Sequence, residues 1–176
     1  MSELTPIDQE ARRAEAEAEP ETATSWHVRT ARGDDVAAVV GAIEELLLEL
    51  GGKPAGTRAL EEATRALLAD RDAGALLVAQ ASHAIIGVLG ASWQTAIHAA
   101  GRYALIQELW VHPSWRSHEI GSDLLIALFA LARERQISRV EVGLPHESFA
   151  GIVATEVFYR RNGFTPLGTR MRWERQ

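Results

Sequence analysis

Leu105-Ile106-Gln107-Glu108-Leu109-Trp110-Val111-His112-Pro113-Ser114-Trp115-Arg116-Ser117-His118-Glu119-Ile120-Gly121 runs as a strand, a proline-stopped turn, a short polar loop and the start of an apolar helix. A helix that opens straight after a strand presents unpaired backbone N–H groups and a positive dipole end at the sheet edge, a site suited to phosphate or pyrophosphate. The strand brings one carboxylate, Glu108, close to that site. Further on, Phe158-Tyr159-Arg160-Arg161-Asn162-Gly163-Phe164 places a phenol near the end of a later helix. An anion cradle, a carboxylate and a phenol are the parts needed for acyl transfer from a nucleotide-linked thioester.

Working outward, Trp26 to Arg32 alternates as a strand, with Trp26, Val28 and Thr30 on one face. Gly33-Asp34-Asp35 offers an N-cap to a helix whose apolar positions are Val36, Val39, Val40, Ile43, Leu46, Leu47 and Leu50. The glycine-rich stretch Gly51 to Gly56 ends it, and Thr57 to Ala69 reads as a second, weaker helix. Ala75 to Gln80 and Ala84 to Thr95 form a hairpin through Ala81-Ser82-His83, and Tyr103 to Val111 follows as a third long strand. A helix over about Ile120 to Arg135 buries Leu124, Leu125, Leu128, Leu131 and Ala132. Arg139 to Leu144 is a strand, Ala150 to Arg161 a helix closed by Asn162-Gly163, and Phe164 to Leu167 and Arg170 to Trp173 read as the last two strands. The pattern is a mixed α/β single domain over 25–176.

Composition narrows the function classes. The 176 residues suit one domain, and an apolar content of 47% supplies a core. Cysteine is absent, which excludes disulfides, thiolate metal sites and a cysteine nucleophile. His27, His83, His98 and His146 are too scattered for a metal-site argument. No apolar run reaches the ~20 residues of a membrane span, and the polar, acidic start is no secretory signal, so the chain reads as soluble and cytoplasmic. The net charge is -6, but residues 1–24 alone hold seven acids and two arginines. They lack large apolar residues after Ile7 and read as a disordered acidic tail. The remainder is nearly neutral, which gives no electrostatic basis for binding nucleic acid.

This element order and these two motifs resemble the GNAT family of acyl-CoA-dependent N-acetyltransferases, over roughly Ser25 to Glu174. The family's loop runs Arg/Gln-x-x-Gly-x-Gly/Ala after a strand ending in Val-x-Pro. Val111-His112-Pro113 matches the strand end, and Arg116, Ile120 and Gly121 match within the loop. Phe158, Tyr159, Gly163 and Phe164 match the family's later helix and its Gly-Phe sequel. The resemblance implies a mostly antiparallel sheet of about seven strands flanked by about four helices. It also implies acetyl-CoA as co-substrate, direct attack by a small-molecule primary amine in a ternary complex, and pairing of copies into a homodimer. Three positions depart from the pattern: Glu119 stands for the first loop glycine, and Ile152 and Thr155 for an asparagine and an alanine on the face that carries Tyr159. They keep open a weakly catalytic or purely binding module of this fold, or a different acyl-CoA donor.

Nitrogen attack on a thioester needs a neutral amine, an oxyanion donor and a proton for the leaving thiolate. Glu108 is the candidate base, desolvated by Ile106, Leu109 and Trp110; the alternative is an ion pair with Arg102 or Arg116. Tyr159 is the candidate acid; the alternative is a core tyrosine beside Phe158. Main-chain groups of Leu109, Trp110 and Val111 are expected along the pantetheine and at the oxyanion. Those of Arg116, Ser117, His118, Glu119, Ile120, Gly121 and Ser122 are expected around the pyrophosphate, with Thr155 and Phe158 closing the thioester end. Arg116 either adds charge to the phosphates or is a surface arginine. Trp93, Trp110 and Trp115 either line an acceptor pocket or belong to the core. Acceptor specificity would come from the loop Gly51 to Gly56, the first two helices and Leu144 to Ala150, with Glu44, Glu45 and Glu49 either attracting a cation or forming a solvated face.

Overall fold

Strands whose two faces are both apolar must be covered on both sides, and residues 74–81, buried along nearly their whole length, mark the centre of such a sheet. A computed structural model describes residues 25–53 and 56–168. Its sheet has the order β1 (Trp26–Thr30), β2 (Gly74–Ala81), β3 (Ala84–Ala96), β4 (Gly101–Val111) and β5 (Val140–Val142). The first four pair antiparallel, and β5 lies parallel to β4. Among the described residues four α-helices surround it: α1 (Val36–Glu49), α2 (Thr57–Ala69), α3 (Ile120–Glu134) and α4 (Ile152–Arg161).

The period-2 alternation sorts each strand's side chains into two cores. Leu77, Ala79, Leu89, Ala91 and Ile106 face α3, where Ile120, Leu124, Leu125 and Leu128 meet them. Leu76, Val78, Val88 and Trp110 face α1 and α2, where Val39, Ala42, Leu67 and Leu68 pack. Each fully buried leucine of α3 contributes about 1.5–3 kcal/mol. Gly87 brings the N-terminus of α3 down onto the sheet: a Cβ there would lie 2.9 Å from Ile120 Cγ2 and 3.1 Å from Leu124 Cδ1.

Four expectations need correction. Gly33-Asp34-Asp35 forms a 3₁₀ turn rather than a side-chain cap. The Asp35 carboxylate turns back, accepting from Arg32 N–H at 2.6 Å and holding Arg29 through two bonds of 2.7 and 2.9 Å. The strand expected over 139–144 shrinks to β5, followed at once by Gly143 and Pro145. Phe164 to Leu167 is irregular, and Pro166 has no N–H to give a ladder. The described sheet therefore has five strands, where about seven were expected; Arg170 to Trp173 and the tail 1–24 lie outside the described residues.

The Arg29–Asp35 pair is largely enclosed and fastens β1 to the start of α1. The Arg29 guanidinium holds the Asp35 carboxyl below its usual range, so the pair's stabilisation is complete at neutral pH and fades as pH falls through the lowered value. Asp35→Ala should cost about 2–3 kcal/mol at pH 7. Urea unfolding of the two proteins should show that difference narrowing at pH 3; an equal gap at both pH values contradicts this account.

Candidate active site

The pairing of β3 with β4 slips at one place. Gly90 faces Glu108 and Ala91 faces Ile106, so Gln107 is an extra residue in β4. Such a bulge shifts the alternation by one. Ile106 lies in the α3-side core, whereas Trp110, an even number of residues away, lies in the core under α1 and α2. Glu108 shares the side of Trp110, and Leu109 and Val111 return to the α3 side. β5 accompanies β4 only as far as Ile106. Beyond that residue the β5-side edge of β4 has no strand partner among the described residues.

Glu108 is placed by its neighbour across the sheet. A Cβ at Gly90 would overlap Glu108 Oε2, so the missing side chain of Gly90 is the space the carboxylate occupies. No ion pair reaches Glu108 among the described residues, and burial alone pushes its carboxyl up to about 7. Arg116, one suggested partner, is engaged elsewhere. The other, Arg102, makes only a long 3.5 Å contact with Asp72 O.

After β4, His112 N–H donates to Ile86 O at 2.9 Å and Pro113 opens a 3₁₀ turn. The His112 ring accepts from Ser114 N–H at 3.3 Å, a capping role. The chain then enters α3 through Ser117 at φ 66° and Glu119 at φ 63°. The first amide to bond inside the helix is Asp123 N–H, to Glu119 O at 2.9 Å. The N–H groups of Ile120, Gly121 and Ser122 are thus left without intrahelical acceptors. Glu119 is exposed, its carboxylate accepting from Ser122 Oγ at 3.0 Å. It takes the left-handed conformation that favours glycine, the residue the GNAT-like loop carries there.

Tyr159 is fixed by the end of its own helix. Gly163 at φ 86° lets Gly163 N–H reach Arg160 O at 3.1 Å and Phe164 N–H reach Tyr159 O at 3.0 Å, a Schellman closure. It folds Phe164 back edge-on against Tyr159, centroids 5.2 Å apart, with Phe158 on another side at 5.1 Å. Tyr159 is only 7% exposed, and burial pushes its phenol up to about 12. Gly121 permits the approach of α4 to the cradle, since a Cβ there would stand 3.0 Å from the Phe158 ring.

These parts share one cleft of about 980 Å³. Glu108, Tyr159, Leu109, Trp110, Val111, Arg116, Ser117, Glu119, Ile120, Gly121, Ser122, Thr155 and Phe158 all line it. His118 and Ile152 do not; His118 bonds Arg116 O at 2.9 Å and lies against Trp115. A second cavity, of about 820 Å³, opens beside β5 and the end of α3, away from this chemistry. Among the described residues no group of three or more His, Asp or Glu could hold a metal, and no helix is long and apolar enough to cross a membrane.

The family described as Acetyltransferase (GNAT) domain matches residues 72–166, the stretch that carries the bulge, the cradle and Tyr159. The chain belongs to the GNAT acetyltransferase family. Solved structures share the fold at low identity. A predicted acetyltransferase from Clostridium acetobutylicum, solved with acetyl-CoA, is 18% identical with TM-score 0.69, covering 85% of this chain and 96% of its own. AAC(6')-Iy, in complex with the bisubstrate analog CoA-S-monomethyl-acetylneamine, is 15% identical with TM-score 0.72, covering 86% and 99%. Glucosamine-6-phosphate N-acetyltransferase from Arabidopsis thaliana is 13% identical with TM-score 0.68, covering 85% and 98%. No curated protein sequence matches the chain.

Within this GNAT site, one residue takes a part outside the two readings open to it, cation attraction or a solvated face, and another was not legible as functional. Glu49, at the end of α1, binds Arg116 through two bonds of 2.9 and 2.6 Å. Arg116 also donates to Val111 O at 3.2 Å, so it clasps the cradle loop to α1 and the end of β4. Gly90 is the other, and its signal was only that a strand glycine marks a bulge or a close approach. Trp93 is a core residue whose Nε1–H donates to Arg71 O at 3.1 Å. Leu46 and Glu49 of α1 and Leu50 just after it, with Pro145 and Phe149, line another part of the cleft. α2 and the described part of Gly51 to Gly56 take no part in it.

Glu108 costs stability when ionised. Its folded value, about 7, lies above the ordinary 4.5, so its favourable contribution is complete below that ordinary value and lost as pH rises through 7. Glu108→Gln should unfold like the parent at pH 4 and be more stable at pH 9 by up to about 3 kcal/mol. Denaturant titration at the two pH values checks this; a gain independent of pH would contradict burial as the cause.

Proposed function

We propose that this GNAT protein transfers an acetyl group from acetyl-CoA to the primary amine of a small molecule, by direct attack in a ternary complex. The observation that carries it is the edge of β4 beyond Ile106, unpaired among the described residues, flanked by Glu108 and by Tyr159 in one cleft and continuous with the open N-terminus of α3. Free amides and the helix dipole suit a pyrophosphate there, and a strand edge suits an extended amide-bearing arm. Acetyl-CoA supplies the activated acyl carbon.

The chain's own groups then divide the work. The N–H groups of Ile120, Gly121 and Ser122 hold the diphosphate. The free edge over Leu109 to Val111 orients the arm and offers N–H to the carbonyl oxygen, where negative charge develops. Glu108 accepts the proton of the attacking amine, its raised value suiting a base near neutrality. Tyr159 keeps its proton at any working pH and gives it to the departing sulfur. Thr155 and Phe158 shape the sulfur end. The placement of both Glu108 and Tyr159 favours catalysis over a purely binding module.

Release of free thiol from acetyl-CoA in the presence of an amine panel tests the assignment. Tyr159→Phe should lower kcat by about 100-fold or more with acetyl-CoA binding nearly intact; a wild-type rate removes its acid role. The acid limb of kcat/KM should inflect near pH 7, and that inflection should vanish in Glu108→Gln. Persistence of the limb in the variant assigns the proton to another group.

A further inference from the structure

The acceptor wall is distinct from the cofactor cradle. It is made of Leu46 of α1, Leu50 just after that helix, and Pro145 and Phe149 of the loop before α4, in the cleft that Glu108 also lines. Phe149 is held over the loop by Gly151, where a Cβ would stand 2.6 Å from the ring. Leu50 remains 39% exposed and Phe149 half-buried, so apolar surface is available to a ligand.

The charges along the cleft leave little for a cation. Its lining holds Glu49, Glu108 and Glu119 against Arg116 and Arg161. Glu49 is occupied on both oxygens by Arg116. Glu119 sits at the cradle, bonded to Ser122. Arg161 has no ion pair among the described residues and opposes cations. That leaves Glu108, which the reaction itself uses. A second ammonium group entering this cleft would lose water without gaining a carboxylate, an unfavourable exchange.

Resting on the acetyl-transfer reading above, we infer that the acceptor is a primary monoamine with an apolar body, aryl or branched alkyl, and that polyamines and other polycations are poor substrates. The amine nitrogen reaches Glu108 while the body lies against Leu50 and Phe149. Burial of the body contributes transition-state binding, and the same dry wall favours the neutral amine that must attack.

Thiol release from acetyl-CoA with phenethylamine, ethylamine, putrescine and spermidine at low ionic strength tests this. Phenethylamine should exceed each of the others in kcat/KM by about tenfold or more. Phe149→Ala should bring the ratio of phenethylamine to ethylamine close to one, a change of preference that general damage to the fold does not produce. Putrescine or spermidine equal to phenethylamine, or an unchanged ratio in Phe149→Ala, overturns the apolar acceptor while leaving acetyl transfer standing. No thiol release with any amine overturns both.

Discussion

One inserted residue in a paired strand moves every side chain beyond it to the opposite face of the sheet. Gln107 is that residue in β4. Without the slip, Glu108 would follow Ile106 into the core packed under α3, where a carboxylate has no compensation. With it, Glu108 comes out on the α1 side beside Trp110, in the space that Gly90 leaves. The same irregularity lies next to the point where β5 stops pairing at Ile106. A single defect in the ladder therefore places the carboxylate and adjoins the strand edge beside which a substrate can lie.

The phenol is placed by an independent device, the closure of a helix. Gly163 takes a backbone conformation that costs other residues about 1–2 kcal/mol, and the resulting turn swings Phe164 onto Tyr159. Phe158 is received by the bare backbone of Gly121, so the helix bearing the phenol and the helix bearing the cradle are packed against each other. Glu108 and Tyr159 thus reach one cleft from different elements, and each is raised by its own burial. For the carboxylate this moves the value toward neutrality; for the phenol it secures the proton.

Those devices explain what the sequence disclosed. The cradle was legible because strand, proline turn and helix start are all local signals in Val111 to Gly121, and the closing Asn162-Gly163-Phe164 is likewise local. α2, β2 and β3 were legible almost to the residue from their apolar periodicity. The bulge was not, because Leu105 to Val111 reads as a continuous strand and the slip exists only in its pairing with Gly90 and Ala91. The clasp between Glu49 and Arg116 was hidden for a related reason: the two lie far apart in sequence, and each alone looks like surface charge. The motif arginine stood open between phosphate contact and a surface position, and its guanidinium is turned to α1. The short β5 and the irregular run after Phe164 show the limit of alternation as a guide, since Gly143, Pro145 and Pro166 interrupt the ladder that the apolar residues suggest.

The loop between Arg116 and Ile120 carries strain that local preferences would not choose. Ser117 and Glu119 both adopt positive φ, at about 1–2 kcal/mol each. Such a conformation persists only where the surroundings hold it, and here they do so from both ends. Arg116 is tied to Glu49 and Val111 on one side. On the other, Asp123 in the first turn of α3 accepts from Trp26 Nε1–H at 2.8 Å, while Trp115 meets Trp26 edge-on. The order in which handedness changes gives the strain a use. A left-handed residue followed by a right-handed helix start turns successive N–H groups toward a common point, a concavity for an anion. Glu119 followed by Ile120 has that order. The loop's distortion and the open amides of α3 are therefore one feature, and the ion-paired, tryptophan-braced frame around it is what would keep the proposed anion site formed before any anion arrives.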